Sequence, residues 1–107
     1  MKELNLDGDV YYFRGEKFSG IGFLKNSKGR FIAECKFKKG KMHGTRICYN
    51  SRGRILSKDK FKKGRGRFKT YYSNGHIKNE GIINSNTKEG LWKYYDQRGG
   101  IKAKEFW

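Results

Sequence analysis

Apolar and polar residues alternate along short stretches of this chain, and glycines separate those stretches. From Phe31 to Phe37, an apolar residue stands at every second position. Alternation of this kind is typical of a strand that buries one face. No stretch of about 11 residues or longer has a clean helical period. The pattern therefore predicts short strands joined by turns, without a long helix.

A repeat based on pairs of glycines organises these strands. In four places a glycine is followed nine residues later by another, and the four starts are 24, 22 and 24 residues apart. In every unit, apolar residues follow the second glycine by two and by eight residues. Such a period marks copies of one structural unit. The pairs are Gly20 and Gly29, Gly44 and Gly53, Gly66 and Gly75, and Gly90 and Gly99.

Each unit has the spacing of two strands joined by a tight turn. Asn, Asp and Gly, which accept the positive φ of hairpin turns, cluster around the second glycine of each pair. We therefore predict an all-β fold: a single elongated antiparallel meander of repeated β-hairpins, with about eight or nine strands. The predicted hairpin turns are residues 26–29, 50–53, 73–75 and 96–99, and the predicted turns between units are residues 38–44 and 62–66.

We expect residues 1–107 to form a single domain, because a chain of this length usually holds one. So short a chain buries too little surface to enclose a deep catalytic cavity easily, which favours a function at the surface. The domain divides into a capping segment at residues 1–19 and repeat units at about residues 20–43, 44–65, 66–89 and 90–107.

Two segments resemble a known repeat. Residues 90–102 (Gly-Leu-Trp-Lys-Tyr-Tyr-Asp-Gln-Arg-Gly-Gly-Ile-Lys) and 37–44 (Phe-Lys-Lys-Gly-Lys-Met-His-Gly) are similar to the MORN-repeat variant of bacterial YwqK-type antitoxin-like proteins. Residues 16–20 resemble the short segment that precedes the first unit in that family. The resemblance covers about residues 9–107 and implies an extended hairpin sheet used as a binding surface, with no catalytic residues. The chain departs from the family pattern at Lys25 and Asn86.

The charge of the chain is concentrated in its centre. The net charge is +16, and residues 36–69 hold 14 basic side chains against the single acid Asp59, which leaves +13 there. Solubility needs a net charge of only about 2 to 8 in a small domain. Like charges at this density oppose folding, so we expect the central band to meet an acidic partner. The candidate partner-binding or nucleic-acid-binding residues are Lys38, Lys39, Lys41, Arg46, Arg52, Arg54, Lys58, Lys60, Lys62, Lys63, Arg65, Arg67 and Lys69.

Three functions are compatible with this band. We expect a non-catalytic binding protein that neutralises or inhibits a protein or ribonucleoprotein partner, in the manner of an antitoxin or a phage inhibitor. The alternative is sequence-tolerant binding of RNA or DNA, in which exposed rings stack on unpaired bases. The second alternative is a basic scaffold module whose lysines only solvate the sheet and protect its edges. The candidate stacking rings are Tyr49, Phe68, Tyr71 and Tyr72.

The sequence predicts no catalytic site, metal site or cofactor. His43 and His76 are the only histidines, and neither stands with the cysteines in a zinc-ligand spacing. Cys35 and Cys48 flank the expected turn around Met42. Pairing about that centre places the two sulfurs on opposite faces, which predicts two free thiols.

The termini supply two further expectations. Residues 1–10 lack the apolar core of a signal peptide and no apolar run is long enough to span a bilayer, so we expect a cytoplasmic protein. The last strand ends in Phe106 and Trp107 with little charge around it. We expect this edge to pack back on the preceding hairpin or to serve self-association or partner contact.

Overall fold

The structure is a computed structural model that describes residues 5–7, 10–13 and 16–107, with side chains described from Glu16 onward. The predicted capping segment therefore lies largely outside the described side chains. The described residues form strands and turns, without a helix. The strands are β1 (Asn5–Asp7), β2 (Val10–Phe13), β3 (Glu16–Lys17), β4 (Gly20–Lys25), β5 (Phe31–Lys38), β6 (Lys41–Tyr49), β7 (Ile55–Lys62), β8 (Arg65–Tyr71), β9 (Ile77–Asn84), β10 (Thr87–Tyr95) and β11 (Ile101–Phe106).

Eight of these strands form one antiparallel sheet in sequence order, from β4 at one edge to β11 at the other. Each strand pairs with the strands that precede and follow it, so the predicted antiparallel meander is confirmed. The three short strands β1, β2 and β3 form a second sheet. The molecule measures 41 × 33 × 21 Å, so it is about twice as long as it is thick.

The hairpin inside each repeat unit has the same register in all four units. The residue two positions after the first glycine is always opposite the residue 13 positions further along. This identity shows that the glycine period corresponds to a structural period. The four pairs are Gly22 with Cys35, Arg46 with Asp59, Phe68 with Gly81, and Trp92 with Glu105.

The hairpin turns lie where the glycine pattern predicts them. In each, the second glycine of the pair has a positive φ, between 78° and 91°. Its amide donates a hydrogen bond of 3.0 or 3.1 Å to the carbonyl three residues earlier. In the first turn, the Asn26 side-chain Oδ1 also accepts from the amides of Lys28 and Arg30. Asparagine and aspartate thus stabilise these turns through their own side chains.

The turns that link the units are shorter than predicted. The expected turn around Met42 is wrong: Lys38 is opposite Lys41, so the turn consists of Lys39 and Gly40, and β6 begins at Lys41. Lys39 has φ 51° and Gly40 has φ 83°, which are the positive angles of a type I′ turn. The sequence hides this turn because a lysine rarely adopts a positive φ.

The ladder between β7 and β8 is much shorter than the others. The second and third units start 22 residues apart, whereas the other starts are 24 apart. The segment from Gly53 to Gly66 is therefore two residues shorter than its counterparts in the other units. Only Phe61 with Gly66 and Lys62 with Arg65 are paired. In contrast, β8 and β9 pair along seven residues. The sheet is therefore joined at its centre by a ladder of two residue pairs.

One face of the sheet carries the hydrophobic core. Buried Cys35, Met42, Phe61, Ile83 and Trp92 form one cluster across five strands. Trp92 is 1% exposed, and its indole nitrogen donates a 2.9 Å hydrogen bond to a backbone carbonyl of β9. Gly66 and Gly81, on neighbouring strands, make room for the rings of Phe61 and Trp92. A Cβ at either glycine would overlap the ring that faces it.

The final strand is an exposed edge. Every residue of β11 is exposed, and Phe106 and Trp107 are 83% and 61% exposed. The backbone of this strand is paired with β10, and Lys88 Nζ lies 5.0 Å from the centroid of the Trp107 ring, while both aromatic side chains stay largely exposed. Self-association or partner contact through this edge stays a prediction. The backbone of Trp107 exchanges two hydrogen bonds with that of Gly90, which hold the strand end in place.

Candidate binding surface

Two neighbouring turns carry the same basic sequence. Residues 38–41 read Lys-Lys-Gly-Lys and residues 62–65 read Lys-Lys-Gly-Arg. Both turns have the same backbone conformation, with the second lysine at φ 51° and the glycine at φ 83° or 86°. The Gly64 amide donates a 2.8 Å hydrogen bond to the Met42 carbonyl, so the turns lie side by side at one end of the sheet. The fold thus brings six cationic side chains together.

Like charges face each other in both turns. Lys38 is directly opposite Lys41 in the first turn. Lys62 is directly opposite Arg65 in the second. Like charges at directly opposed positions destabilise an antiparallel sheet. The third turn of the same row has an asparagine opposite a threonine at these positions, so the fold itself does not require the cations.

The cationic surface continues from the second turn along two strands. Lys58 and Lys60 precede Lys62 at alternate positions of β7, and Arg67 follows Arg65 in the same way on β8. Alternate residues share one face and stand about 6.6 Å apart along a strand. All five are exposed. We call the whole set the basic surface, and its residues are Lys38, Lys39, Lys41, Lys58, Lys60, Lys62, Lys63, Arg65 and Arg67.

One carboxylate pairs with the basic surface among residues 16–107. Arg65 Nη2 lies 3.2 Å from Glu89 Oε1, and both side chains are largely exposed. The hydrogen bond from Arg65, followed by one from Asn84, lowers the pKa of Glu89. Lys41 Nζ also donates a 3.0 Å hydrogen bond to the Ser85 hydroxyl. The basic surface thus holds nine cationic residues, with Glu89 as the carboxylate paired with them among residues 16–107.

Four of the 13 candidate residues lie elsewhere. Arg52 and Arg54 flank a hairpin turn at the opposite end of the sheet. Lys69 Nζ forms a 3.3 Å ion pair with Asp59, and both side chains are mostly buried. Arg46 is 6% exposed and lies on the core face. The structure thus brings nine of the candidate residues together on the basic surface and separates these four from them.

None of the four candidate stacking rings is fully exposed. All four rings are half-buried. The Tyr72 hydroxyl donates a 2.7 Å hydrogen bond to the Tyr95 carbonyl. Phe68 lies on the core face, with its centroid 6.4 Å from that of Trp92. Bases bound to the basic surface therefore find no exposed ring of this set beside it.

Tyrosine and glutamate side chains clamp neighbouring units on the outer face. The Tyr49 hydroxyl donates to the Glu34 carboxylate, and Tyr95 donates to Glu80 at 2.6 Å. The hydrogen bond to Glu34 is the main cause, with burial second, that raises the pKa of Tyr49 to about 12. The pKa of Tyr95 is raised in the same way by Glu80. At the central junction, Lys58 occupies the repeat position of the two glutamates, so this clamp is lost there.

The two cysteines lie on the same face, so the expectation of opposite faces is wrong. Cys35 is opposite Arg46, and Cys48 follows Arg46 by two residues. The turn lies earlier in the chain than Met42, so the pairing of β5 with β6 is shifted from the expected one and brings both cysteines to the same face. Both cysteines are buried free thiols. Burial raises the pKa of Cys35 to about 12, so this thiol stays protonated and a poor nucleophile at neutral pH.

The histidines have ordinary structural surroundings. His43 Nδ1 accepts a 3.2 Å hydrogen bond from the Lys63 amide, which helps to join the two basic turns. His76 is exposed beside Gly99 of the next unit. Within the described residues, no three side chains of the metal-binding types cluster. The same residues include no helix with the length and apolar character needed to cross a bilayer.

No protein-family model, curated protein or solved structure matches this chain. The similarity to the MORN-repeat variant therefore rests on the glycine and aromatic spacing of the sequence. The antiparallel hairpin repeat itself stands on the observed register of four equivalent units. What the protein binds has to be argued from its surface chemistry.

Proposed function

We propose that this protein is a non-catalytic binding protein that neutralises or inhibits a protein or ribonucleoprotein partner through its basic surface. The observation that carries the proposal is the gathering of nine cationic residues around two adjacent turns of the sheet. The third turn of the row has a similar backbone conformation with Asn84 and Thr87 at the opposed positions, so the fold does not require cations there. An anionic partner surface complements this concentration of positive charge.

The geometry suits recognition of a broad anionic surface. The nine residues stand on strands and type I′ turns of a hydrogen-bonded sheet, so their backbone is fixed before the partner arrives. Complementary charge across an interface raises the association rate and excludes partners of the wrong sign. The surface is therefore suited to covering a partner's active or nucleic-acid-binding region.

The test compares two variants with the same change in net charge. In the turn variant, five cations of the basic turns become glutamine. In the control variant, five exposed cations elsewhere become glutamine. We expect affinity capture from the native cells, read by quantitative mass spectrometry, to retain one partner with wild type and control and to lose it with the turn variant. The turn variant changes Lys38, Lys39, Lys62, Lys63 and Arg65, and the control changes Lys28, Arg52, Arg54, Lys102 and Lys104.

Two results contradict the proposal. The first is capture of the same partner by the turn variant at wild-type yield. The second is equal loss in both variants, because net charge and not this surface would then be responsible. Thermal melts of both variants confirm that neither result arises from unfolding.

Sequence-tolerant RNA or DNA binding is the second candidate. The line of Lys58, Lys60 and Lys62 supports it, since a row of cations can follow a phosphate backbone. The absence of exposed rings among the candidate set weighs against it. The measurement is binding to a random single-stranded oligonucleotide at increasing salt. Affinity near physiological salt, with a log-log slope of about −0.7 per neutralised phosphate and loss in the turn variant, establishes this alternative.

A further inference from the structure

The core face holds an open cavity away from the basic surface. Its volume is about 380 Å³, within the range of small-ligand pockets. Its lining is mainly apolar, and its charged members are Lys25, Glu34 and Arg46. The residues that matter here are Leu24, Cys35, Phe37, Met42, Arg46 and Phe68.

The buried member of these three is Arg46. This residue is 6% exposed, and its guanidinium stacks 4.1 Å above the ring centroid of Phe68. Nη1 donates 2.9 Å hydrogen bonds to the Lys69 carbonyl and to Cys48 Sγ. Within the described residues these are the hydrogen bonds of the side chain, so Nε and Nη2 have no acceptor there.

The nearest carboxylate in the ladder does not neutralise this charge. Asp59 is directly opposite Arg46, but among the described residues its ion pair is with Lys69, at 3.3 Å. A buried charge without an ionic partner is costly. A guanidinium with two donors unused on one edge is also the group that best accommodates a carboxylate, because the two oxygens match the two N–H groups.

The repeat shows that packing does not demand arginine here. Arg46 occupies the unit position held by Phe68 and Trp92 in the next two units. Those rings fill the core without introducing a charge. In the first unit the position is Gly22, and in the two later units an aromatic side chain fills it, so no other unit places a charge there. Arginine in its place adds a specific chemical capacity and lowers the stability that an aromatic residue would give.

We propose that this cavity binds a small carboxylic acid with an apolar body. The carboxylate accepts hydrogen bonds from Nε and Nη2 of Arg46, which neutralises the buried charge. The body lies against Phe37, Met42 and Phe68.

Octanoate is the probe, titrated into the full chain by isothermal calorimetry, with octan-1-ol and acetate as probes that lack the charge or the body. We expect saturable octanoate binding and at least tenfold weaker binding of the other two. The variant Arg46→Phe restores the aromatic residue of the repeat, so its melting temperature should equal or exceed that of wild type. It should lose at least tenfold in octanoate affinity. Arg67→Gln, which removes an exposed cation of the basic surface, should bind octanoate as wild type does.

Three results overturn the proposal: no octanoate binding to wild type at millimolar concentration, equal binding of octanoate and octan-1-ol, or undiminished octanoate binding by Arg46→Phe. The comparison of the acid with the alcohol uses the unchanged protein, so it decides the matter even if the variant fails to fold. The turn variant should bind octanoate normally. Failure of this inference is therefore distinguishable from failure of the proposed function.

Discussion

Gly81 shows how a single residue sets the packing of the core. It lies opposite Phe68, and a Cβ on it would overlap the indole ring of Trp92. Its φ is not in the left-handed region, so the requirement for glycine is steric. Gly29 is the opposite case, because its φ is +78° and a Cβ would meet nothing within 4 Å.

The two glycines predict two different costs. Gly81→Ala forces the indole to move, and overpacking of this kind typically costs about 1–3 kcal/mol or more. Gly29→Ala lowers the free energy of unfolding only through the strain of a left-handed backbone conformation, by about 1–2 kcal/mol. We expect urea unfolding to show the larger loss for Gly81→Ala, with a lowered near-ultraviolet tryptophan signal in that variant alone. Equal native tryptophan spectra would contradict the steric explanation.

Arg46 shows the limit of reading single residues from the sequence. The glycine period places Arg46 two residues after Gly44, where Phe68 and Trp92 stand in other units. That alignment is available from the sequence and marks the position as buried. Counting Arg46 with the exposed cations missed this signal, because arginine is normally found at the surface. The hydrogen bonds to Lys69 and Cys48 depend on the open ladder beside β8, which the sequence does not reveal.

At the scale of elements, the tyrosine–glutamate clamps make stability depend on alkaline pH. The pKa of Tyr49 is about 12 in the folded chain, above its ordinary value of 10. A group whose pKa is raised by folding stabilises the fold below its ordinary pKa and loses that contribution as the pH rises through the folded value. The contribution of this clamp is therefore complete below pH 10 and is lost between about pH 10 and 12.

Difference measurements isolate this effect from the many lysines that titrate nearby. We expect Tyr49→Phe to melt at a lower temperature than wild type up to pH 10, and the difference to shrink between pH 10 and 12. Glu34→Gln should return the pKa of Tyr49 toward 10 in an absorbance titration at alkaline pH. Tyr71→Phe is the control. Tyr71 is the equivalent tyrosine of the third unit, but Lys58 occupies the repeat position that Glu34 and Glu80 hold for the other two tyrosines. A pH-independent difference for Tyr49→Phe would refute the linkage.

The two kinds of turn differ in how far the sequence reveals them. Turns at the second glycine of each pair are predicted correctly because asparagine, aspartate and glycine signal them directly. The first linking turn is displaced by about two residues because Lys39 adopts a positive φ, whereas the second lies within its predicted range and is only shorter. A displacement of this size also changed the predicted faces of the cysteines. Local turn chemistry is thus predictable, whereas register across a link depends on interactions between strands.

We expect the end of β11, Phe106 and Trp107, to make a modest but measurable contribution to stability. Removing Phe106 and Trp107 deletes two backbone hydrogen bonds to Gly90 and the contact of Lys88 with the Trp107 ring at 5.0 Å. Each such hydrogen bond contributes about 1 kcal/mol net. We expect a lower melting temperature and, if the exposed edge mediates self-association, a shift to monomer in sedimentation. Unchanged melting and sedimentation would show that this edge does neither.

For the whole molecule, the net charge of +16 predicts that salt stabilises the fold. The opposed cations repel one another, and raising the ionic strength shortens the Debye length from about 30 Å at 0.01 M to about 8 Å at 0.15 M. We expect the melting temperature to rise over that interval with chloride as the anion. The turn variant should show a smaller rise than the control variant of equal charge. Equal rises would mean that the turns are not where repulsion concentrates.

We expect the two-pair ladder between β7 and β8 to be the weakest junction of the sheet. In a repeat array each unit is held by its neighbours, so the weakest junction sets how far folding in one half stabilises the other. Where β7 faces β8, the amides beyond the two paired residues should exchange with solvent earlier than the amides of the seven-residue ladder between β8 and β9. Opening at this junction would separate the Arg46 side chain from the Lys69 carbonyl. Such an opening would therefore change the position of a side chain that lines the core cavity.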